Sequence, residues 1–503
     1  MKKLPATLLC DFYKISHREQ YDEDTEQIYS TWTARGSRIE GINKVVVFGL
    51  QGFIKKYLID YFNENFFNRS WQEVVSEYKR VIKYTLNIDN PSIQHIWDLH
   101  ELGYLPLLIE AVPEGTKLPI RVPSATVRNT HPKFFWLTNF IETLLSCETW
   151  QPTTSATIAN SYKNILKKWS DKTCDNDYHV PFQGHDFSMR GMPCLEAACT
   201  SGAGHLLSFV GTDTIPAILY LENYYNADIE KELVGTSIPA TEHSVMCCNG
   251  RDEYSSIKRL ITEVYPNGFV SIVSDTWNLW DILTKTLPKL KDEIMNRDGR
   301  VVIRPDSGNP VDIICGTRRE IETRELSNIN EIRKGVIESL WDVFGGTINS
   351  KGYKVLDSHI GAIYGDAITM ERAEEICSRL EEKGFASSNI VFGIGSFTYT
   401  YNTRDTFGFA QKSTYAVKGG QEVFLYKDPI TDDGLKKSQK GLVYVLDLEG
   451  NITYKDEFNI QEHEKLQPFG LLRPIFKNGE LLVDENLAEI RKRVEDNELL
   501  RYS

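Results

Sequence analysis

The chain has 503 residues, a formal net charge of −13 at pH 7 and 41% hydrophobic residues. This acidic balance argues against a nucleic-acid-binding protein, which needs an excess of Lys and Arg to displace counterions from phosphates. The length allows two or three domains, or one large core with additions.

Cysteine usage and the N-terminus predict a cytoplasmic protein. The nine cysteines include no C-x-x-C pair, which favours reduced thiols over a disulfide framework or a zinc site. The apolar part of "MKKLPATLLC" is too short for a signal peptide. No apolar run approaches the length of a membrane span, so no membrane partner is expected.

Residues 1–150 mix strand-like and helix-like patterns. "KVVVFGLQGFIKKYL" passes from an apolar strand through Gly49 into an amphipathic helix. "KFFWLTNFIETLLS" predicts an apolar helix, and residues 154–169 predict a further helix with one apolar face.

The middle of the chain repeats a different pattern, in which an apolar run ends in a small or acidic residue. Parallel strands joined by helical crossovers have this pattern, and helix-like stretches at 328–345 and 370–383 fit the crossovers. The pattern favours a β/α barrel whose polar strand ends meet at one face, over unrelated buried strands. The seven segments are 185–191, 208–214, 236–244, 269–276, 301–308, 360–367 and 389–396.

After residue 400 the pattern changes again. "KGLVYVLDLEGNITYKDE" predicts a β-hairpin that turns at Glu449–Asn451, and "NLAEIRKRVEDNELLR" predicts a closing helix. A lone hairpin buries too little surface to be stable, so this tail is expected to complete the N-terminal domain. We therefore expect an α/β fold with an N-terminal α/β domain (1–150, completed by 400–503) and an irregular β/α barrel (151–400).

The predicted strand ends carry residues suited to a phosphorylated sugar. Acids beside short Gly and Ser turns suit ribose hydroxyls and Mg²⁺, small residues let backbone N–H groups approach phosphate, and Arg and Lys supply positive charge. Each feature alone is weak, since a Gly-x-Gly is mostly a turn and a terminal Asp is often a cap. The set is Phe187, Arg190, Asp213, Glu242, His243, Asp275, Asp306, Asp366, Gly393, Gly395, Arg404 and Lys412.

The order of motifs resembles one family. The following motifs occur in this order: "DFYK", "FGLQ", "AVPEG", "WLTNFIETLL", "HDFSMRG", "GTDT", "SIPATEHS", "VSIVSDT", "VVIRPDSGNP", "NSKGYKVL", "GDAI", "VFGIGS" and "LYKDPITDD". Together they are similar to the nicotinamide phosphoribosyltransferases, a branch of the type II, nicotinate phosphoribosyltransferase-like superfamily. The resemblance implies transfer of phosphoribosyl from 5-phosphoribosyl 1-pyrophosphate to nicotinamide, with Mg²⁺, in NAD biosynthesis. It also implies a homodimer with shared active sites.

The resemblance assigns the pyridine ring to one group of residues. Phe187 is expected to stack on the ring, with Tyr13 of the partner subunit covering its other face; packing in the core is the ordinary alternative for each. Asp213 is expected to accept a hydrogen bond from the carboxamide and to repel the carboxylate of nicotinate. Arg190 and Arg304 are expected to frame the ring and the phosphate side.

The resemblance assigns the sugar and its phosphates to a second group. Ser396 and Phe397 stand where the family usually has glycines, so the affinity for phosphate is the property that we most expect to differ from that of the family. Mg²⁺ is expected to bind mainly through substrate phosphates. The implied ribose and phosphate residues are Asp306, Gly365, Asp366, Gly395, Ser396, Arg404, Lys412 and Arg35, with Lys427 and Lys436 for pyrophosphate or ATP.

His243 resembles a histidine that takes a phosphoryl group from ATP. A neutral imidazole accepts a phosphoryl group when a neighbour holds the correct tautomer. Glu242 and Asp275 are the candidate orienting residues, and Asp306 is the leading candidate to stabilise positive charge on the ribose.

Three alternatives stay open at this point. A nicotinate phosphoribosyltransferase shares the fold and chemistry, but "GTDT" and the chain length count against it. A barrel hydrolase or aldolase could use the same acids, but no lysine at a strand end or paired-carboxylate motif is evident. A non-catalytic scaffold protein would have no need for the phosphate-binding residues or His243.

Overall fold

The computed structural model describes residues 4–320, 328–365, 367–427 and 438–496. Within them the strands are β1 (Thr25–Thr33), β2 (Lys44–Val46), β3 (Leu107–Ala111), β4 (Lys117–Pro119), β5 (Pro123–Asn129), β6 (Gly184–Phe187), β7 (Gly211–Thr212), β8 (Asn267–Val273), β9 (Asp298–Arg304), β10 (Gly346–Ile348), β11 (Lys354–Leu356), β12 (Ile360–Tyr364), β13 (Ile390–Gly395), β14 (Ala410–Lys418), β15 (Gln421–Phe424), β16 (Leu442–Leu448), β17 (Asn451–Phe458), β18 (Arg473–Lys477) and β19 (Glu480–Leu481).

The α-helices of the same residues are α1 (Lys14–Gln20), α2 (Leu50–Phe53), α3 (Trp71–Leu86), α4 (Gln94–Leu102), α5 (Leu137–Phe140), α6 (Glu142–Thr173), α7 (Val180–Gln183), α8 (Leu195–His205), α9 (Ile215–Tyr225), α10 (His243–Cys247), α11 (Glu253–Arg259), α12 (Leu279–Asp281), α13 (Leu287–Lys289), α14 (Lys291–Met295), α15 (Pro310–Cys315), α16 (Ile329–Phe344), α17 (Met370–Glu382), α18 (Ser396–Thr400), α19 (Ile460–Leu466) and α20 (Leu487–Asp496). None of these helices is long and apolar enough to cross a lipid bilayer.

The chain divides into two compact units, each discontinuous in sequence. Unit 1 comprises the described residues of Met1–Thr157, Leu219–Asp228 and Asn402–Ser503, and unit 2 comprises those of Ile158–Ile218 and Ile229–Tyr401.

Unit 1 is built on a seven-stranded sheet in the order β15-β14-β1-β5-β3-β18-β19. All of its strand pairs are antiparallel, and β14 and β18 from the C-terminal part of the chain pair with β1 and β3. The predicted hairpin is confirmed as β16–β17, and both residues of its turn, Glu449 and Gly450, have positive φ. Two-residue turns of this kind match the twist of the strands that they join.

A buried charged cluster lies under the C-terminal helix of unit 1. The carboxylate of Glu114 accepts the backbone N–H groups of Gly49 at 3.1 Å and Gln51 at 2.7 Å, where α2 begins. Glu485 accepts the backbone N–H of Glu114 at 3.1 Å and a guanidinium N–H of Arg493 at 2.7 Å. Burial raises the pKa of Glu114 to about 7, and the charge of Glu485 adds to this effect.

Unit 2 contains a six-stranded parallel sheet in the order β7-β6-β13-β12-β9-β8. Each of these strands falls within one of the seven predicted segments, apart from a few residues at the starts of β6, β8 and β9. The α/β class and the parallel pairing are therefore confirmed. The predicted crossover helices at 328–345 and 370–383 are found as α16, which is interrupted by a kink at Gly335 (φ 80°, ψ 176°), and α17.

The remaining predicted segment, 236–244, contains no regular strand. Its residues instead make isolated parallel bridges to both edge strands, from Thr236 to Gly211 in β7 and from Ala240 to Ser271 in β8. Pro239 lies between these bridges and has no N–H to donate, which prevents a continuous ladder.

The apolar helix predicted over residues 133–146 is divided, because α5 ends at Phe140 and α6 begins at Glu142. Helix α6 then continues through Pro152 and includes the second predicted helix, 154–169. The ring of Pro152 packs against Gly49, where an added Cβ would lie 2.5 Å from the proline Cγ. The missing side chain of Gly49 makes room for the ring, and this packing was not evident from local sequence.

Candidate active site

Strand β6 presents His185 and Phe187 on one side and Asp186 on the other, because strand side chains alternate. The rings of His185 and Phe187 lie 4.6 Å apart between centroids. Gly393 in the neighbouring strand makes room for the aromatic ring, since a Cβ there would lie 2.6 Å from Phe187 Cδ2. Asp186 is buried and accepts the N–H of Ser188 at 2.9 Å, which fixes the backbone after Phe187.

Asp213 follows β7 and receives two side-chain hydrogen bonds. Its Oδ1 lies 2.8 Å from His185 Nε2 and accepts the hydroxyl of Ser237 at 2.6 Å. Burial alone would raise the pKa of Asp213, but the hydrogen bonds from His185 and Ser237 and the charges of His185 and Arg304 outweigh it, and the pKa is lowered. Asp213 is therefore an ionised acceptor.

A cavity of about 430 Å³ lies within unit 2 and is lined by Phe187, Asp213 and Arg304 near the carboxyl ends of the strands. It continues to Phe269 and Arg300 near the amino ends of β8 and β9. Its size and mixed apolar and polar lining suit a small ring with a few polar substituents.

Arg304 occupies the end of β9 and is half-buried. Its guanidinium donates to the backbone carbonyl of Thr241. Burial lowers the pKa of Arg304, an effect opposed by the charges of Asp306 and Asp213 and reinforced by the nearby Arg190, which is itself exposed. Arg190 and Arg304 therefore bring positive charge to the region of Asp213.

His243 begins α10 and is bonded through both ring nitrogens. Nδ1 lies 3.3 Å from the hydroxyl of Thr276, and Nε2 lies 3.2 Å from Oδ1 of Asp306. Neither of the predicted orienting residues bonds the ring among the described residues. Glu242 instead accepts the hydroxyl of Ser244.

Asp275 organises the loop that carries Asp306. One of its oxygens accepts the backbone N–H groups of Asp306 at 3.0 Å and Ser307 at 2.8 Å. Ligand atoms of His243, Asp275 and Asp306 all lie within 4.8 Å of one another. Gly365 adjoins this cluster, and a Cβ there would lie 3.6 Å from Asp306 Cβ.

The predicted phosphate loop ends β13 and leads directly into α18. Gly395 precedes the helix and Ser396 is its first residue. Phe397 is 57% exposed, and its ring stacks on that of Tyr401 with centroids 5.0 Å apart. A Cβ on Gly191 would lie 2.1 Å from Ser396 Oγ, so the serine side chain occupies space that Gly191 leaves.

The other predicted cations that the structure describes, Arg35, Arg404, Lys412 and Lys427, belong to unit 1. Lys412 lies in β14, and burial lowers its pKa; Glu142 opposes this effect, whereas the nearby charges of Arg35, Lys427 and Arg404 add to it. Four positive side chains thus gather in one part of unit 1, and a polyanion would relieve their mutual repulsion.

Tyr13 also belongs to unit 1. The residue is 56% exposed, and its ring contacts that of His17, with centroids 4.7 Å apart. Asp366 and Lys436 lie outside the described residues.

Comparison with known proteins shows the family to which the chain belongs. Residues 182–466 match the model of the nicotinate phosphoribosyltransferase (NAPRTase) family, and residues 6–109 match the N-terminal domain of nicotinamide phosphoribosyltransferase. The chain belongs to the nicotinate phosphoribosyltransferase family and, within it, to the nicotinamide phosphoribosyltransferases. It is accordingly a phosphoribosyltransferase, and the predicted resemblance is confirmed.

Individual relatives cover nearly the whole chain. The nicotinamide phosphoribosyltransferase of Acinetobacter baylyi is 49% identical over 496 residues, 96% of each chain. That of Mycoplasma pneumoniae is 38% identical over 446 residues, 85% of this chain and 93% of its own. The crystal structure of nicotinate-nucleotide pyrophosphorylase from Pyrococcus furiosus is 15% identical with a TM-score of 0.55, covering 98% of this chain and 97% of that one, which shows a shared fold.

Sequence reasoning missed three polar residues of this phosphoribosyltransferase: His185, Ser237 and Thr276. The alternation of side chains in "HDF" carried a usable signal, because residues 185 and 187 must share one side of a strand. Ser237 and Thr276 gave no such signal, since their positions depend on contacts between segments distant in sequence.

Proposed function

We propose that the protein transfers a phosphoribosyl group from 5-phosphoribosyl 1-pyrophosphate to nicotinamide, forming nicotinamide mononucleotide and pyrophosphate in NAD biosynthesis. The observation that carries this choice of substrate is the ionised Asp213 on the wall of a cavity beside Phe187. A carboxylate accepts a hydrogen bond from a carboxamide NH₂ and repels the carboxylate of nicotinate.

Phe187 offers the nicotinamide ring a stacking surface. Its edge packs on Gly393 and its ring contacts His185, so the aromatic plane is held on two sides. An offset stack of two rings is favourable by about 1 kcal/mol beyond the burial of area. In the proposed homodimer, Tyr13 would cover the other face of the ring from the partner subunit.

The transfer itself requires positioning and charge stabilisation. The pyridine nitrogen attacks ribose C1 while the bond from C1 to the pyrophosphate oxygen breaks and its electron pair leaves with pyrophosphate. Positive charge develops on the ribose, and the carboxylate of Asp306 is our candidate to stabilise it. Gly365 lies beside Asp306 and is, with Asp366 and Gly395, a further candidate for the ribose and its phosphate.

We also propose that His243 accepts the γ-phosphoryl group of ATP. The carboxylate of Asp306 can only accept a hydrogen bond, so it favours the proton on Nε2 and leaves the lone pair on Nδ1. Nδ1 would then form the bond to phosphorus while the bond to the β-phosphate oxygen breaks and ADP leaves with its electron pair. Thr276, which now contacts Nδ1, must turn aside.

The cluster around His243 fits a Mg²⁺ ion. Asp275 and Asp306 supply the oxygen ligands that Mg²⁺ prefers, and Asp275 Oδ1 is buried without a hydrogen-bond partner among the described residues. When bound there or to substrate phosphates, the ion would neutralise negative charge on the leaving group. His243 is a poorer ligand for this hard ion and so stays available as the phosphoryl acceptor.

The cations of unit 1 are proposed to bind phosphate groups. Arg35, Arg404 and Lys412 are assigned to the 5′-phosphate, and Lys427 and Lys436 to pyrophosphate or ATP. Burial, together with the nearby positive charges of Arg35, Lys427 and Arg404, lowers the pKa of Lys412, which supports an anion-binding role.

We further propose that unit 2 is an irregular β/α barrel in which residues 236–241 close the gap between β7 and β8. Their bridges to both edge strands support this closure. A cytoplasmic homodimer is proposed on the sequence resemblance, and the free cysteines fit a reducing compartment.

One assay tests the function. The purified protein is incubated with phosphoribosyl pyrophosphate, Mg²⁺ and either nicotinamide or nicotinate, with and without ATP, and mononucleotide formation is followed. We expect nicotinamide mononucleotide and pyrophosphate in equal amounts, with faster turnover when ATP is present. Preferential use of nicotinate would overturn the proposed substrate.

A further inference from the structure

Two donors from different segments converge on a single oxygen of Asp213. His185 Nε2 lies 2.8 Å from Oδ1, and the hydroxyl of Ser237 donates to the same atom at 2.6 Å. No donor among the described residues reaches Oδ2. The carboxylate is therefore held at one oxygen and left with unused acceptor capacity at the other.

His185 has little freedom to leave this position. Its side chain is 11% exposed, and its ring lies against Phe187. Gly211 also adjoins the ring, and a Cβ there would lie 2.8 Å from Nδ1. The ring thus contacts Phe187 and the backbone at Gly211, while Nε2 bonds Asp213.

Ser237 is held by the irregular segment that bridges the edge strands. The preceding residue, Thr236, donates its N–H to Val210 at 2.7 Å and accepts the N–H of Thr212 at 2.9 Å. Because Asp213 follows Thr212 in the chain, these bonds hold Ser237 beside Asp213.

We propose that His185 and Ser237 are specificity-determining positioning residues, which hold Asp213 so that Oδ2 accepts the carboxamide N–H of nicotinamide. The inference rests on the proposed function. Without these donors the carboxylate can rotate, and its free oxygen no longer faces one direction. The same bonds favour the ionised form of Asp213, which is the form that repels nicotinate.

Two matched variants separate the hydrogen bond from the packing. His185→Phe keeps a ring against Phe187 but has no N–H, whereas His185→Gln keeps an N–H donor but loses the ring. Ser237→Ala removes the second donor with a small change in volume. Loss of a hydrogen bond to a charged group typically changes an equilibrium constant by roughly 10-fold or more.

The readout is kcat/KM for nicotinamide and for nicotinate, with KM and kcat resolved for each. We expect His185→Phe to lower the nicotinamide-to-nicotinate ratio at least about 10-fold, mainly through KM for nicotinamide, and Ser237→Ala to lower it less. His185→Gln should stay within about three-fold of the wild type if the donor is what matters.

Equal losses for both substrates, or an unchanged ratio, in His185→Phe and Ser237→Ala would overturn the inference and leave the function intact. Should His185→Phe fail to fold, Ser237→Ala and His185→Gln still decide the question. A wild-type protein that does not use nicotinamide would overturn the proposed function, and with it the role assigned to both residues.

Discussion

Asp275 accepts the backbone N–H of Asp306 at 3.0 Å, so one acid of the candidate site holds the backbone of another. The same oxygen accepts the N–H of Ser307 at 2.8 Å, and the hydroxyl of Ser307 as well. A carboxylate that receives several donors from one loop fixes the conformation of that loop. Asp275 thereby acts on His243 through the position of Asp306.

Replacing Asp275 by Ala should therefore lower kcat for mononucleotide formation at least about 10-fold, because the loop carrying Asp306 loses its main acceptor. Steady-state kinetics and thermal unfolding would be measured together. The matched control is Asp281→Ala, which removes the i,i+4 ion-pair partner of Lys285 on the surface. It should change neither kcat nor the unfolding temperature by much. Full activity in Asp275→Ala would show that the loop holds its shape without this carboxylate.

Replacing His243 by Ala should abolish the stimulation by ATP and leave weak basal synthesis. The reason is that the phosphoryl acceptor is lost while the residues around the ring and the ribose remain. Turnover would be compared with and without ATP, alongside acid-labile incorporation of label from γ-labelled ATP. His131→Ala, an exposed histidine of unit 1, serves as the control. Persistence of ATP stimulation in His243→Ala would exclude the proposed role.

Replacing Asp213 by Ser should weaken the use of nicotinamide and relax the exclusion of nicotinate. The loss of the charged acceptor predicts a fall in the ratio of the two kcat/KM values of at least about 10-fold. Competition between the two substrates in one reaction gives the ratio directly. Asp177→Ser, which removes an exposed partner of Lys167, should leave the ratio as it is. An unaltered ratio in Asp213→Ser would remove Asp213 from the specificity argument.

Replacing Lys412 by Gln should raise KM for phosphoribosyl pyrophosphate by roughly 10-fold, because a partly buried cation gains more from a phosphate than an exposed one. The dependence of KM on salt concentration should also become shallower. Lys418→Gln lies in the same strand, β14, and pairs with Asp22 at the surface, so it is the appropriate control. Identical KM values in the two variants would argue against phosphate binding by Lys412.

The raised pKa of Glu114 predicts how the stability of the protein depends on pH. Its pKa is about 7 when folded and near 4.5 in an unfolded chain, so the folded state binds more protons between these values. The contribution of this group to the free energy of unfolding should therefore fall by about 3 kcal/mol as pH rises from 4.5 through 7. Urea unfolding at several pH values would measure it.

The comparison for Glu114 is with Glu114→Gln, which is uncharged throughout this range. The free energy of unfolding of the wild type, minus that of Glu114→Gln, should fall as pH rises from 4.5 through 7. Glu101→Gln in α4 should run parallel to the wild type. A constant difference between wild type and Glu114→Gln would show that the carboxyl group titrates normally.

The sequence predicted the regular parts of unit 2 well, because buried strands and amphipathic helices leave strong local patterns. Strand β9 and helix α17 follow directly from apolar runs and a 3.6-residue period. The packing of Pro152 in α6 against Gly49 could not be predicted, because the two residues are distant in sequence.

The candidate site shows the same division. Residue types at strand ends indicated Asp213 and Asp306, but not their partners. His243 bonds Thr276 and Asp306, whereas Glu242, its neighbour in sequence, bonds Ser244. Hydrogen-bond partners depend on the direction of each side chain after folding, and adjacency in sequence does not determine that direction.

The segment between Thr236 and Thr241 joins the edge strands through only a few backbone hydrogen bonds, at Val210 and Thr212 on one side and at Ser271 on the other. This segment, here called the seam (residues 236–241), can open locally while the hydrogen bonds between the six parallel strands stay intact. Its amide hydrogens should exchange with solvent well before those of β9 and β12. Because Ser237 lies within the seam and His243 closely follows it, one local opening would release the contact to Asp213 and displace the proposed phosphoryl acceptor together.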